Sequence, residues 1–276
     1  MQDIVSKTMK DFLKIRSLDS PNDVFIKFKK REYSFKEMND IIYDRSLSLL
    51  DFGVNSNDKV AIFLSDSFEF IEAYLACYKV RAISLVLNEK WKKRELENAF
   101  KKALPDFIIC QYSDKNLFTK FGKPLLFIEE LSKSFGSCAP SQINDKINKE
   151  NVQSILFTSG TQGFPKPVCL TYDNFYQSSV KWEKAIKLSN QDQYLLCLPL
   201  YHIGGLAVIM RALHLGLTIN IKMNIKDDSI EFKKDSIISL VPTLLIDLIN
   251  NNNTLQYLKQ LRCIVLSGSK PSLDLL

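Results

Sequence analysis

Ile155-Leu156-Phe157-Thr158-Ser159-Gly160-Thr161-Gln162-Gly163-Phe164-Pro165-Lys166-Pro167 is the stretch on which the reading of this chain turns. A short apolar run of strand character opens into hydroxyls and glycines and closes on a lysine. Gly160 and Gly163 let the backbone take positive φ and come close to a ligand. Successive N–H groups in such a loop form a concavity for anions. Thr158, Ser159 and Thr161 add hydroxyls, Gln162 adds an amide donor, and Lys166 adds a full positive charge. These residues together suit a polyphosphate. The Walker pattern is absent, because Lys166 stands between Pro165 and Pro167 instead of between Gly and Ser or Thr. On residue chemistry alone, a plain Ser/Gly turn after a strand stays open beside the phosphate cradle.

Working outward, strand-like and helix-like segments alternate. Ser34 and Glu37 have capping-box spacing at the start of a helix carrying Ile41, Ile42, Leu47 and Leu50, with Gly53 as its stop. Strands are predicted at 59–64, 82–87 and 107–110, with helices at 67–78 and 91–103 between them. That order implies a parallel sheet covered by helices. The polar stretch 132–151 reads as a linker. Beyond it, strands are predicted at 154–157, 194–198, 217–221, 237–240 and 263–266, and helices at 172–188, 206–215 and 243–250. The expectation is an α/β protein of two lobes: residues 1–131, then the linker 132–151, then residues 152–276 with the loop. The second lobe is expected to be incomplete at its C-terminus, because the last strand sits near an unfinished edge.

Composition narrows the function classes. Of 276 residues, 46% are hydrophobic and 25% charged, which is ordinary globular usage. The formal net charge of +6 comes from lysines scattered in short runs. No zinc-finger or RNA-binding spacing accompanies it, so a solvated basic surface is preferred to a nucleic-acid partner. Six separated cysteines without a C-x-x-C pair read as free thiols of a reducing cytoplasm. With His202 and His214 as the only histidines, a zinc site has no support. The N-terminus lacks the apolar segment of a secretory signal. The most apolar stretch, 195–219, is broken by Pro199, His202, two glycines and Arg211, so no membrane span is expected.

The loop closely resembles the phosphate-loop signature of the AMP-forming acyl-adenylate synthetases, T-S-G-T-T-G-x-P-K-G. Gln162 stands where Thr or Ser is usual, and Pro167 where Gly is usual. Further segments resemble the family in order: Tyr33-Ser34-Phe35-Lys36-Glu37-Met38, Gly53-Val54 with Asp58-Lys59-Val60-Ala61, Phe68-Glu69-Phe70, and Leu87-Asn88. Arg81 replaces a usual Gly. The resemblance implies the large N-terminal domain of such enzymes, with ATP and CoA as substrates and Mg2+ as cofactor. Thr158, Ser159, Gly160, Thr161, Gln162, Gly163 and Lys166 would then hold the ATP phosphates, with Thr161 towards the metal.

Leu198-Pro199-Leu200-Tyr201-His202-Ile203-Gly204-Gly205-Leu206-Ala207-Val208-Ile209-Met210-Arg211 resembles the o-succinylbenzoate–CoA ligases within that family, which serve menaquinone or phylloquinone synthesis. By that resemblance His202 borders the acyl pocket; as a residue it could equally be a satisfied interior histidine. A guanidinium at Arg211 suits the unreacted carboxylate of a dicarboxylic acid. Snorkelling to solvent or pairing with a structural acid is the alternative. Leu266-Ser267-Gly268-Ser269-Lys270-Pro271 resembles a turn lining the pocket, so Gly268 and Ser269 join it; a plain Gly/Ser turn is equally open. The resemblance implies that the chain as given lacks the family's later catalytic segments, which a complementary chain or the rest of a longer polypeptide would supply. Two alternatives remain: a non-catalytic binding remnant of the same fold, and a ligase for a fatty or aryl acid.

Overall fold

The structure is a computed structural model that describes residues 7–131, 143, 145–158, 165–222, 225 and 236–268. The chain opens with β1 (Thr8–Lys10), α1 (Phe12–Asp19), β2 (Val24–Phe28), β3 (Arg31–Ser34) and α2 (Phe35–Asp51). It continues through β4 (Lys59–Phe63), α3 (Ser67–Val80), β5 (Ile83–Val86), α4 (Lys93–Ala103), β6 (Phe107–Cys110), the short α5 (Lys115–Phe118) and β7 (Leu125–Phe127). Next come β8 (Lys146–Asn148), β9 (Val152–Thr158), β10 (Lys166–Thr171), α6 (Tyr172–Ile186), β11 (Gln193–Leu196) and α7 (Ile203–Leu215). The last described elements are β12 (Thr218–Ile221), β13 (Ser236–Leu240), α8 (Pro242–Ile249), α9 (Asn252–Leu258) and β14 (Cys263–Leu266).

Two compact units result, and their division differs from the expected one. The first takes residues 1–22 and 35–177, the second residues 23–34 and 178–276. The expected linker contains β8, which pairs antiparallel with β1, Thr8 opposite Asn148. β9 was expected to open the second lobe. Instead it joins the first sheet by parallel pairing with β5, Ser84 opposite Ser154. The β2–β3 hairpin, early in the chain, joins the second sheet through β12, Ile219 opposite Ile26. Sheet pairing joins residues far apart in sequence, and local periodicity carries no signal for it.

The first unit is built on a six-stranded sheet in the order β10-β9-β5-β4-β6-β7. Its strands are parallel except for β10, which runs antiparallel to β9. The inner strands read as apolar runs, such as Val60-Ala61-Ile62-Phe63, because both faces are covered. α3 is buried along most of its length. Asp66 caps its first turn by accepting from Phe68 and Glu69 N–H, and Arg81 ends it in the left-handed region at φ 66°. A buried ion pair ties the helices together: Lys79 Nζ lies 3.1 Å from Asp11 and donates to Asn39 on α2 at 2.9 Å. Asp11 also caps α1 by accepting from Leu13 and Lys14 N–H.

The second unit has a six-stranded sheet in the order β14-β13-β11-β12-β2-β3, parallel except for the β2–β3 hairpin. α7 is buried from Gly205 to His214. An apolar interior helix therefore accounts for the most apolar stretch of the sequence. Among the described residues, no helix is long and apolar enough to cross a membrane.

Candidate active site

In the first unit, β9 carries the loop sequence to the carboxyl end of the parallel strands, where open α/β sheets bind ligands. The chain returns as β10, and Thr158 lies opposite Lys166 in the ladder, with Pro167 opposite Phe157. Sequence reasoning did not foresee this return strand. The Thr158–Lys166 pair closes the base of the segment, and both side chains are exposed. Ser159, Gly160, Thr161, Gln162 and Gly163 lie outside the described residues, and with them the residue assigned towards a metal. Pro167 lacks an N–H, but β10 is an edge strand, where proline is tolerated. Pro165 and Pro167 hold the backbone around Lys166 extended. Two further contacts support the base of the hairpin. Lys102 on α4 donates to the Pro165 carbonyl at 2.9 Å. Trp91 packs edge-on against Phe157, with ring centroids 5.1 Å apart.

In the second unit, His202 stands at the N-cap of α7 and is exposed, so it is not an interior histidine. Its ring lies 4.5 Å from that of Tyr201. The turn before it is tight. A Cβ added at Gly205 would lie 2.4 Å from the Pro199 carbonyl oxygen and 2.6 Å from that of Leu198. Glycine is what lets α7 start against this backbone. Gly268 follows β14 at φ +97°, a left-handed turn that suits glycine, and Ser269 lies outside the described residues.

Arg211 is an interior residue of α7. Its residue is only 4% exposed, so it does not reach solvent. Among the described residues no carboxylate pairs with it. Its guanidinium stacks on Trp182 of α6, 3.8 Å from the ring centroid, and also faces Tyr194 of β11 at 5.5 Å. Nη1 donates to the Tyr194 hydroxyl at 3.4 Å, which in turn lies 2.5 Å from Ser239 Oγ. Nε is buried without a partner among the described residues. Burial lowers the Arg211 pKa, and the adjacent Tyr194 partly offsets this. Burial likewise raises the Tyr194 pKa, against the opposing effect of Arg211. Sequence reasoning missed Trp182 and Tyr194, because contacts across three elements leave no periodic trace.

A family model described as AMP-binding enzyme matches residues 15–276. The chain belongs to the AMP-binding enzyme family. A 2-succinylbenzoate–CoA ligase from Bacillus cereus (strain ATCC 10987 / NRS 248) is 28% identical in an alignment 275 residues long that covers 97% of this chain and 56% of that protein. The chain thus spans about 56% of the curated relatives it matches. O-succinylbenzoate coenzyme A synthetase (MenE) from Bacillus subtilis, solved with AMP, superposes with a TM-score of 0.88 at 25% identity, covering 97% of this chain and 70% of that one. The same enzyme with ATP and magnesium ion gives a TM-score of 0.89 at 25% identity, covering 97% and 56%. The expected fold class therefore stands: α/β, with mostly parallel sheets flanked by helices as in the N-terminal part of these enzymes.

Proposed function

We propose that this chain serves an AMP-forming acid–CoA ligase whose acid is o-succinylbenzoate, as in menaquinone or phylloquinone synthesis, acting in the cytoplasm. The relatives are longer, so the two-step reaction is proposed for this chain together with polypeptide equivalent to their remainder. The observation that carries the reading is the Thr158–Lys166 pair, which closes a hydroxyl- and glycine-rich segment at the carboxyl end of the first sheet. Lys166 and the Thr158 hydroxyl then serve the ATP phosphates together with Ser159, Gly160, Thr161, Gln162 and Gly163.

In the first step a substrate carboxylate oxygen attacks the α-phosphorus of ATP, and the bond to pyrophosphate breaks. In the second the CoA thiolate attacks the acyl carbon of acyl-AMP and AMP leaves. Negative charge grows on the phosphates in the first step, so fixed donors and cations there lower the barrier. Mg2+, when bound, would neutralise part of that charge; Thr161 is the residue assigned towards it. His202, Gly268 and Ser269 are assigned to the acyl pocket wall. Arg211 is assigned to the carboxylate that does not react, and this is supported by the finding that no acid among the described residues pairs with it.

The test is pyrophosphate release from ATP by the purified chain, alone and with the C-terminal remainder of a relative added in trans. The acids are o-succinylbenzoate and a panel of fatty and aryl monocarboxylates. Release that depends on o-succinylbenzoate is expected. Turnover confined to monocarboxylates would contradict the substrate. No release under either condition, against an active full-length relative, would favour a binding remnant.

A further inference from the structure

A guanidinium taken out of water needs compensation, and a carboxylate is the usual source. Among the described residues, Arg211 has an aromatic one instead. The Trp182 face lies 3.8 Å from the guanidinium carbon, and Tyr194 supplies a second face and a hydroxyl acceptor. An aromatic quadrupole stabilises the cation without cancelling its net charge, as a carboxylate would. Trp182 belongs to α6 and Tyr194 to β11, so the cation on α7 is fixed from two neighbouring elements. The Tyr194 hydroxyl is itself held by Ser239 on β13.

We propose that Trp182 is a positioning residue: its indole face holds the Arg211 guanidinium where no described residue supplies a carboxylate, and the charge is thereby kept available to the second carboxylate of the acid substrate. The inference rests on the dicarboxylic-acid reading above. It predicts that losing the indole costs selectivity for a second carboxylate more than it costs acid binding in general. An exposed surface tryptophan, or one that merely fills space, would not do this.

The experiment uses the whole chain carrying Trp91→Phe, which leaves Trp182 as the single indole. Its fluorescence is titrated with o-succinylbenzoate and with 4-oxo-4-phenylbutanoate, which lacks the second carboxylate. ATP affinity is measured alongside by calorimetry. Binding of the Trp182→Leu and Trp182→Phe variants to both acids is measured by calorimetry. Trp182→Leu is expected to weaken o-succinylbenzoate about tenfold, a loss in the range of a desolvated cation–π contact. 4-Oxo-4-phenylbutanoate and ATP should move less than about twofold on the same scale. Trp182→Phe, the milder change, should fall between the parent and Trp182→Leu, and it carries the test if Trp182→Leu does not fold. Arg211→Gln should abolish the fluorescence response to the dicarboxylate. A parent that prefers the dicarboxylate while both Trp182 variants keep its selectivity overturns this inference alone. A parent with no preference for the second carboxylate overturns the substrate reading and this inference with it.

Discussion

Gly205 shows how one missing methyl shapes the second unit. The carbonyls of Leu198 and Pro199 occupy the place of its absent Cβ, and backbone cannot swing aside as a side chain can. Gly205→Ala is expected to lower stability by about 1–3 kcal/mol through overpacking. Gly204→Ala should cost less, since among the described residues its new Cβ meets a side-chain atom, Leu198 Cδ1 at 3.1 Å, and no backbone of another segment. Thermal melts of the two variants check the order. Glu72 offers a pH-dependent test. Burial raises its pKa from the usual 4.5, while Arg45, 2.7 Å away, opposes the rise. A carboxyl with a raised pKa binds more protons folded than unfolded, so its contribution to stability falls as pH rises from about 4.5 through the folded value. Stability of the parent minus that of Glu72→Gln should therefore decline with pH across that window, as read from urea melts at a series of pH values. A difference that rises with pH would show that the ion pair outweighs burial.

At the scale of elements, the end of α3 is the most instructive. Arg81 replaces the glycine usual in the family, yet its backbone takes the left-handed conformation at φ 66° that glycine adopts freely. Its guanidinium partly compensates by donating to the Tyr78 carbonyl and facing the Tyr78 ring. Arg81→Ala loses those contacts and keeps the strain; Arg81→Gly loses them and relieves it. The glycine variant should thus be the more stable of the two by about 1–2 kcal/mol in chemical denaturation. The segments were largely legible in the sequence. The strands at 107–110 and 263–266 have the bounds expected, and Ser67–Val80 extends the predicted helix by two residues. Apolar periodicity and stop residues carry that information locally. The edges were not legible. The lysine and prolines of β10 read as loop in the sequence. The same residues make sense in an edge strand, which must resist further pairing. The β3 edge is protected in the same way by Arg31 and Glu32. β14 is different, an apolar edge of Cys263, Ile264, Val265 and Leu266, all half-buried.

For the whole molecule, the alternation of segments predicts two sheets, and two compact units are present. The sequence order did not reveal which strands share a sheet. β9 and the β2–β3 hairpin each pair with strands far from their sequence neighbours, so the boundary lies inside α6, at 177–178, and not at 132–151. The candidate site was legible as chemistry, since hydroxyls, glycines and a lysine in that order suit phosphate. Its framing within the first unit was not: the pairing of Thr158 with Lys166 and the Lys102 contact to Pro165 depend on tertiary packing, as does, within the second unit, the aromatic support of Arg211. The loop closed by Thr158 and Lys166 is proposed to bind ATP phosphates. Titration calorimetry of ATP against the chain and its Lys166→Ala variant tests it most directly. Removing a charge-assisted contact of about 1.5–3 kcal/mol should raise Kd about tenfold or more. An unchanged Kd in a variant that melts like the parent would contradict the assignment.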